Sequence, residues 1–576
     1  MSPAIPEATM IRVSKNLLIS ALFFYGSWAH AAADLVFVGG PIVTVNAKNE
    51  EVQALATKDG KIVAVGLEAD IRKNWVDQKT QVIDLRGQTL MPGFVEPHVH
   101  IVLTAMVEGL WLDLSNFSLP YDTIDTLSEK LRAALKTVPP GGWLAGFGVD
   151  PSRTSPFMAE LTVEVLDKVS KDVPIFILNQ SGHIAYVNSK AFEVAGVNNQ
   201  TPKPPNGGIY VKDEKGNLTG KLVEAPSYLA FQAKMPVPTQ QELIQAVRNT
   251  TKKLAMKGVT TSSEITVGAN LGLENEMGLY KYLLANGGLP VRVRAYLYGS
   301  AIPKGFQGVK PNEGDDLFRY VGVKFISDGS TQGLTAALNE PYAYPAGTKF
   351  RGDLNYQDEQ LLALMKPYFD QGWQLSVHAN GSRAVEQTLN NYAKLLDGKS
   401  QPEKRRLRIE HFTVTTPEQL VRTKQLGVVP GFTIGHVHYW GQAFNDQILG
   451  APRAECIDPS ASLKKEGVRF AYHSDSPVSP YGPLKYITQG VTRVWQSPLQ
   501  RKVLGPNERI SVDDAIRAVT IDAAYQMMSD DKIGSLEVGK LADFVVLEKN
   551  PRATPSEQIG DIKVLQTWVG GKRQEW

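Results

Sequence analysis

Between residues 94 and 475 the chain repeats one theme eight times. An apolar run ends in a polar or reactive residue, and a stretch of helical periodicity follows. The runs are 94–100, 258–264, 291–298, 321–327, 373–378, 407–411, 428–433 and 468–475. The helical stretches include 240–257, 360–370, 384–396 and 417–426. Strands that alternate with helices build parallel sheets, so the pattern predicts an α/β fold with a closed (β/α)8 barrel of the TIM type. Segments 512–520 and 523–528 read as closing helices. An open doubly wound sheet is the alternative, but no Gly-x-Gly-x-x-Gly follows a strand to support it.

Outside the repeat, residues 32–90 read as short strands. Asp59-Gly60 between two apolar runs marks a hairpin. Residues 530–576 repeat that character, with the runs 544–547 and 562–569. A small β-sandwich built from both chain ends is therefore expected around a central barrel at 91–529. The first two barrel strands are separated by a long insertion, 104–237, expected to lie over the barrel mouth where loops after strands gather.

Arg12 and Lys15 precede the apolar stretch 17–28, and Ala29-His30-Ala31 offers a small-residue cleavage site. The segment 1–31 thus reads as a signal peptide, with Met10 an alternative start to Met1. A periplasmic or secreted protein is expected, with no membrane attachment after cleavage. The single cysteine, Cys456, allows no internal disulfide. With 61 basic and 59 acidic residues, nothing electrostatic argues for nucleic acid. A small-molecule substrate fits better, and a homo-oligomer stays open.

Of nine histidines, His30 leaves with the signal. His98 and His100 end the first strand, where alternate side chains share a face. His378 ends the fifth, His411 the sixth, and His473 the eighth, two residues before Asp475; His436 and His438 follow the seventh, and His183 lies in the insertion. Seven of these eight sit at or just past C-terminal strand ends, where barrel active sites are built.

At this point the sequence resembles a known family. Residues 91–100 (Met-Pro-Gly-Phe-Val-Glu-Pro-His-Val-His) look like the metal-binding start of the amidohydrolase superfamily. Residues 181–189, 323–330, 408–411, 473–478 and 539–544 are similar to its amidohydrolase-3 (YtcJ-like) branch, which includes N-substituted formamide deformylases. The resemblance implies that His98, His100, His378 and His411 are metal ligands. Asp475 would be both ligand and general base. Lys324 would match a lysine that relatives carboxylate to bridge two metals; an ordinary salt bridge is its alternative. Two departures stand out: Ser382 where relatives often carry aspartate, and Glu264 where the second strand often ends in His-Asp.

Neutral imidazoles and a carboxylate suit Zn2+, one ion or two, with Fe2+ or Mn2+ as alternatives. Such an ion lowers the pKa of bound water toward about 7. The expected reaction is hydrolysis of a non-peptide amide-like C–N bond in an N-acyl or N-formyl small molecule. A lactone, cyclic imide or carbamate is the alternative substrate, and a catalytically silent regulatory protein the alternative from another class. His183 reads as an electrophile for the substrate carbonyl or as a structural residue. Tyr439 and Trp440, beside His436 and His438, read as substrate pocket or exposed surface. Arg383 and Arg493 could meet a substrate anion or form ordinary salt bridges.

Overall fold

The computed structural model describes residues 32–497 and 502–576. The expected signal peptide, 1–31, lies outside them. Eight parallel strands form the central sheet: β1 (Phe94–Glu96), β2 (Val259–Val267), β3 (Arg292–Tyr298), β4 (Phe318–Ile326), β5 (Gln374–Ala379), β6 (Arg408–His411), β7 (Val429–Phe432) and β8 (Ala471–Tyr472). Each pairs in parallel with the next in chain order. The seam between β8 and β1 is closed just past the strands. The Asp475 N–H donates to the His98 carbonyl at 3.1 Å and the His100 N–H to the Ser476 carbonyl at 3.0 Å. The barrel is therefore locked by the backbone of the residues singled out for metal binding.

Alternation along the strands sets the two faces. On β5, Leu375, Val377 and Ala379 join the apolar layer beneath the helices, as do Val323 and Phe325 of β4 and Ile409 of β6. Lys324, Ser376, His378, Arg408 and Glu410 occupy the other face and are all buried. The helices Asp358–Asp370, Ser382–Leu396 and Pro417–Gln425 lie close to their expected positions. Gln240–Met256 opens on a capping box between Thr239 and Glu242, which satisfies two end donors reciprocally.

The two chain ends form paired sheets. Thr89–Pro92 lies antiparallel to Phe544–Leu547, and Ile42 of the N-terminal region pairs with Leu90. A second sheet of four N-terminal strands includes the Asp59-Gly60 hairpin, where both turn residues have positive φ. Phe37, Leu55, Leu90, Phe544 and Trp568 share one apolar cluster between the sheets.

The insertion carries its own six-stranded sheet and two apolar cores. Its strands Ile184–Val187 and Leu218–Val223 run antiparallel, with Ile184 opposite Val223. That register sets His183 and Glu224 side by side at one end. Among the described residues no helix is long and apolar enough to cross a membrane.

Candidate metal centre and active site

The site is built where β1, β4, β5, β6 and β8 end. His98 Nδ1 lies 2.7 Å from Glu410 Oε2, and both side chains are fully buried. Glu410 is held well below the usual carboxylate range: burial opposes this, but the Arg408 guanidinium outweighs it. An ionised carboxylate only accepts, so His98 Nδ1 donates to Glu410 and the ring's Nε2 edge is turned inward. That Nε2 stands 3.0 Å from Asp475 Oδ1, and His100 Nε2 stands 3.1 Å from the same oxygen. Asp475 Oδ1 is buried and accepts no hydrogen bond. Two imidazole nitrogens converge on one buried carboxylate oxygen at 3.0 and 3.1 Å, the donor types and spacing that a metal ion takes. This is the observation that fits the residues to a metal ion.

The rest of the donor set agrees. His98, His411 and Asp475 offer ligand atoms within 4.8 Å of one another. Burial holds the His378 and His411 imidazoles neutral, well below their ordinary value. Metal ligation requires that form. The Asp475 carboxyl is held well below its ordinary value: burial raises it, but the facing His98 ring outweighs that. Burial also lowers the Lys324 amine to about 8, and its Nζ sits 3.5 Å from His98 Nε2. The carboxylates of Glu410 and Asp475 act on Lys324 in the opposite direction, so the salt-bridge alternative for this lysine stays open beside the carboxylated one.

Each ligand is oriented from behind, as metal-binding histidines usually are. His100 Nδ1 is 2.7 Å from Thr266 Oγ1, and His411 Nδ1 is 2.9 Å from Thr433 Oγ1. His378 Nε2 donates to the Gly329 carbonyl at 3.1 Å. Asn380 donates to that same carbonyl and accepts from the Thr413 hydroxyl. Asp328 accepts from the backbone N–H groups of Ala337, Asn380 and Gly381, pinning the loop after β4 to that after β5. By alternation His411 would follow Ile409 to the helix side. Its φ of 72° turns it inward instead, and Asp475 has φ 58°. Non-glycine residues hold such backbone only where the surroundings over-determine it, commonly at functional sites.

His183 arrives from the insertion. Its ring lies 4.7 Å from that of His378, and its Nδ1 lies 3.0 Å from Glu224 Oε2. Burial pulls the imidazole down, but Glu224 outweighs it and raises His183 above its ordinary value. Glu224 itself has φ 61°. Its carboxylate also accepts from Asn355 at 3.4 Å.

Other expected residues fall elsewhere. Trp440 is wholly buried and donates its indole N–H to Asp150 of the insertion. Tyr439 packs on Phe117, and its carbonyl accepts from Arg153. These two side chains therefore join insertion to barrel, and Trp440 offers no free face to a substrate. Arg383 reaches the Gly352 carbonyl at 3.4 Å and lies apart from the cluster. Arg493 is buried on the carbonyls of Ile457, Asp458 and Leu504. His473 stacks on His98, 4.5 Å between centroids, with neither ring nitrogen bonded. Glu264 faces away from the cluster. It accepts from the Val102 N–H and the Tyr280 hydroxyl, and burial pushes it up to about 8. Ser382 accepts from the Asn339 N–H and holds the loop after β4.

Sequence reasoning missed Glu410, Thr266, Thr433 and Glu224. Glu410 carried one signal, its alternate-position pairing with Arg408. Glu224 carried none, because only the insertion's strand register brings it to His183.

The model of the amidohydrolase family matches residues 81–573. The chain belongs to the amidohydrolase family. It is accordingly a hydrolase of carbon–nitrogen bonds, and the cluster above is able to bind a metal. It is 26% identical over 549 residues to the N-substituted formamide deformylase of Arthrobacter pascens, covering 93% of this chain and 97% of that one. It is 27% identical to the putative amidohydrolase YtcJ of Bacillus subtilis, covering 93% and 98%. Among solved structures it resembles an uncharacterized metal-dependent hydrolase from Pyrococcus horikoshii, with TM-score 0.70 at 22% identity, covering 91% and 99%. A second from Pyrococcus furiosus gives 0.67 at 23%, covering 90% and 99%. These two likenesses are of fold.

Proposed function

We propose that this amidohydrolase cleaves a non-peptide amide-like C–N bond in an N-acyl or N-formyl small molecule, with Asp475 as general base. The observation that carries the reading is the convergence of His98 Nε2 and His100 Nε2 on a buried Asp475 Oδ1 that accepts no hydrogen bond. A divalent ion held by His98, His100, His378, His411 and Asp475, for which zinc suits the donors, supplies Lewis acidity that acidifies a water and polarises the scissile carbonyl.

The remaining steps belong to the chain. Asp475 is ionised and takes the proton of the attacking water, then delivers it to the leaving nitrogen. Glu410 and Thr266 fix the His98 and His100 rings so that their Nε2 atoms face inward. His183, its Nδ1 directed at Glu224, turns its other edge toward the site and donates to the carbonyl oxygen as charge develops there. The similarity to an N-substituted formamide deformylase over nearly the whole chain supports an N-formyl or N-acyl substrate. Lys324, dry and with a lowered pKa, is the residue that would carry a carboxylate and help to hold a second ion. The segment 1–31 would deliver the enzyme to the periplasm or the medium.

The test is turnover by the purified metal-loaded protein on a panel of formamides, N-acyl amines, N-acyl amino acids and lactones. Hydrolysis of amides is expected. Cleavage of lactones alone would overturn the substrate class. Metal analysis before and after Lys324→Ala tests the second ion, and an unchanged single-ion content would remove it. N-terminal sequencing of the exported protein is expected to begin at Ala32.

A further inference from the structure

A cavity of about 440 Å3 lies between the insertion and the long loop after β4. It adjoins the active site through Glu224, which lines it and bonds His183. Its walls include Met158, Ile209, Val211, Val223, Leu334 and Phe350. None of these side chains is fully buried, so the fold leaves apolar surface uncovered at the site's edge. Pockets of this size bury most of a small ligand and orient it through a few polar groups.

The charged groups here are mostly of one sign, while Thr335, Tyr344 and Asn355 add neutral polar groups. Gln332 is buried in the wall, and its Oε1 accepts no hydrogen bond. Glu224 and Asp353 add carboxylates, with Asp353 exposed. Lys221, the one lysine lining the cavity, is paired with Glu160. The cavity thus presents an excess of negative charge, with its lysine already paired. An entering carboxylate would lose its hydration, meet the Glu224 and Asp353 carboxylates and gain no unpaired cation.

We infer that this cavity is the specificity pocket for the substrate's larger substituent, and that it takes an apolar group carrying no anion. Gln332 Oε1 is the acceptor for an N–H beside that group. The inference rests on the amide reading of the active site and narrows it: N-acyl amines are substrates, and N-acyl amino acids with a free carboxylate are discriminated against. The selecting residues are Val211, Gln332 and Asp353, none of which touches the metal-binding cluster.

Two probes that resist hydrolysis and differ by one carboxylate decide the matter: N-(2-phenylethyl)methanesulfonamide and N-methanesulfonylphenylalanine. Their dissociation constants on the metal-loaded enzyme are read by titration calorimetry. The neutral probe is expected to bind at least about ten-fold more tightly. Val211→Trp, which fills the cavity from an edge strand, is expected to weaken it about ten-fold, with melting temperature as the check on folding. Asp353→Lys, on an exposed loop, is expected to bring the acid to within about three-fold. Equal or tighter binding of the acid to the wild type would overturn the inference. So would a folded Val211→Trp with unchanged affinity, or no binding of either probe. Binding as expected without turnover of any amide would leave the pocket standing and remove the amide reading. Turnover of amides without discrimination would do the reverse.

Discussion

The two halves of this active site are held by opposite means. The barrel half rests on strand ends whose ligands are each fixed by a buried partner: Glu410 behind His98, Thr266 behind His100, Thr433 behind His411. The insertion half rests on one imidazole–carboxylate contact, His183 to Glu224, beside a cavity with uncovered apolar walls. A metal cage tolerates little play, so its supports are dense. A pocket that selects substrates must leave surface unsatisfied until substrate arrives. On the proposals above, chemistry falls to the strands and choice to the loops.

The sharpest break is at Asp475. Asp475→Asn is expected to lower kcat/KM by about 10²–10⁴, as for loss of a general base, and to leave the fold intact. His98→Ala or chelation should remove the metal together with activity. Metal content and circular dichroism check both, and full activity in metal-free protein would contradict the barrel half outright.

Glu410→Ala comes next. It leaves Arg408 buried without its carboxylate partner, which is expected to cost about 3–5 kcal/mol in denaturant unfolding. A shift below about 1 kcal/mol would mean that the support behind His98 is dispensable.

Glu264 probes a barrel carboxylate that is kept protonated. Its folded pKa, pushed up to about 8, lies above the ordinary 4.5, so the native state binds the proton more tightly than the unfolded chain. Its contribution to stability is full below 4.5 and declines as pH rises toward 8. Each pH unit in that window is worth up to about 1.4 kcal/mol. Glu264→Gln keeps the shape and removes the titration, so it is expected to gain on the wild type by a few kcal/mol between about pH 5 and pH 8. A constant difference across that range would refute the protonated assignment.

The mildest effect is expected in the insertion. Glu224→Gln should lower activity about 10–100-fold, as loss of an orienting partner does, with stability within about 1 kcal/mol of the wild type. If it matched Asp475→Asn, the insertion would share the chemistry and the division between halves would fail.

Much of the architecture was legible in the chain because both of its periods are local. Alternating runs with reactive ends marked all eight strands, and helical spacing marked the layer outside them. The strand-end positions of His98, His100, His378 and His411 were legible for the same reason, whereas their role as ligands, and that of Asp475, came from the family resemblance. Trp440 was misjudged because its neighbours in sequence are histidines, whereas its partner, Asp150, lies in the insertion. Nothing local announces such a contact.

By itself, then, the sequence determined the strand–helix alternation and the strand-end placement of the candidate metal ligands. Those follow from side-chain periodicity and turn chemistry, which act over a few residues. Only the tertiary structure decided which nitrogen of each imidazole faces inward, how burial makes Lys324 and Glu264 readier to be neutral, and where Glu224 meets His183. Those depend on desolvation and on hydrogen bonds between residues 22 to 312 positions apart, which no local pattern encodes.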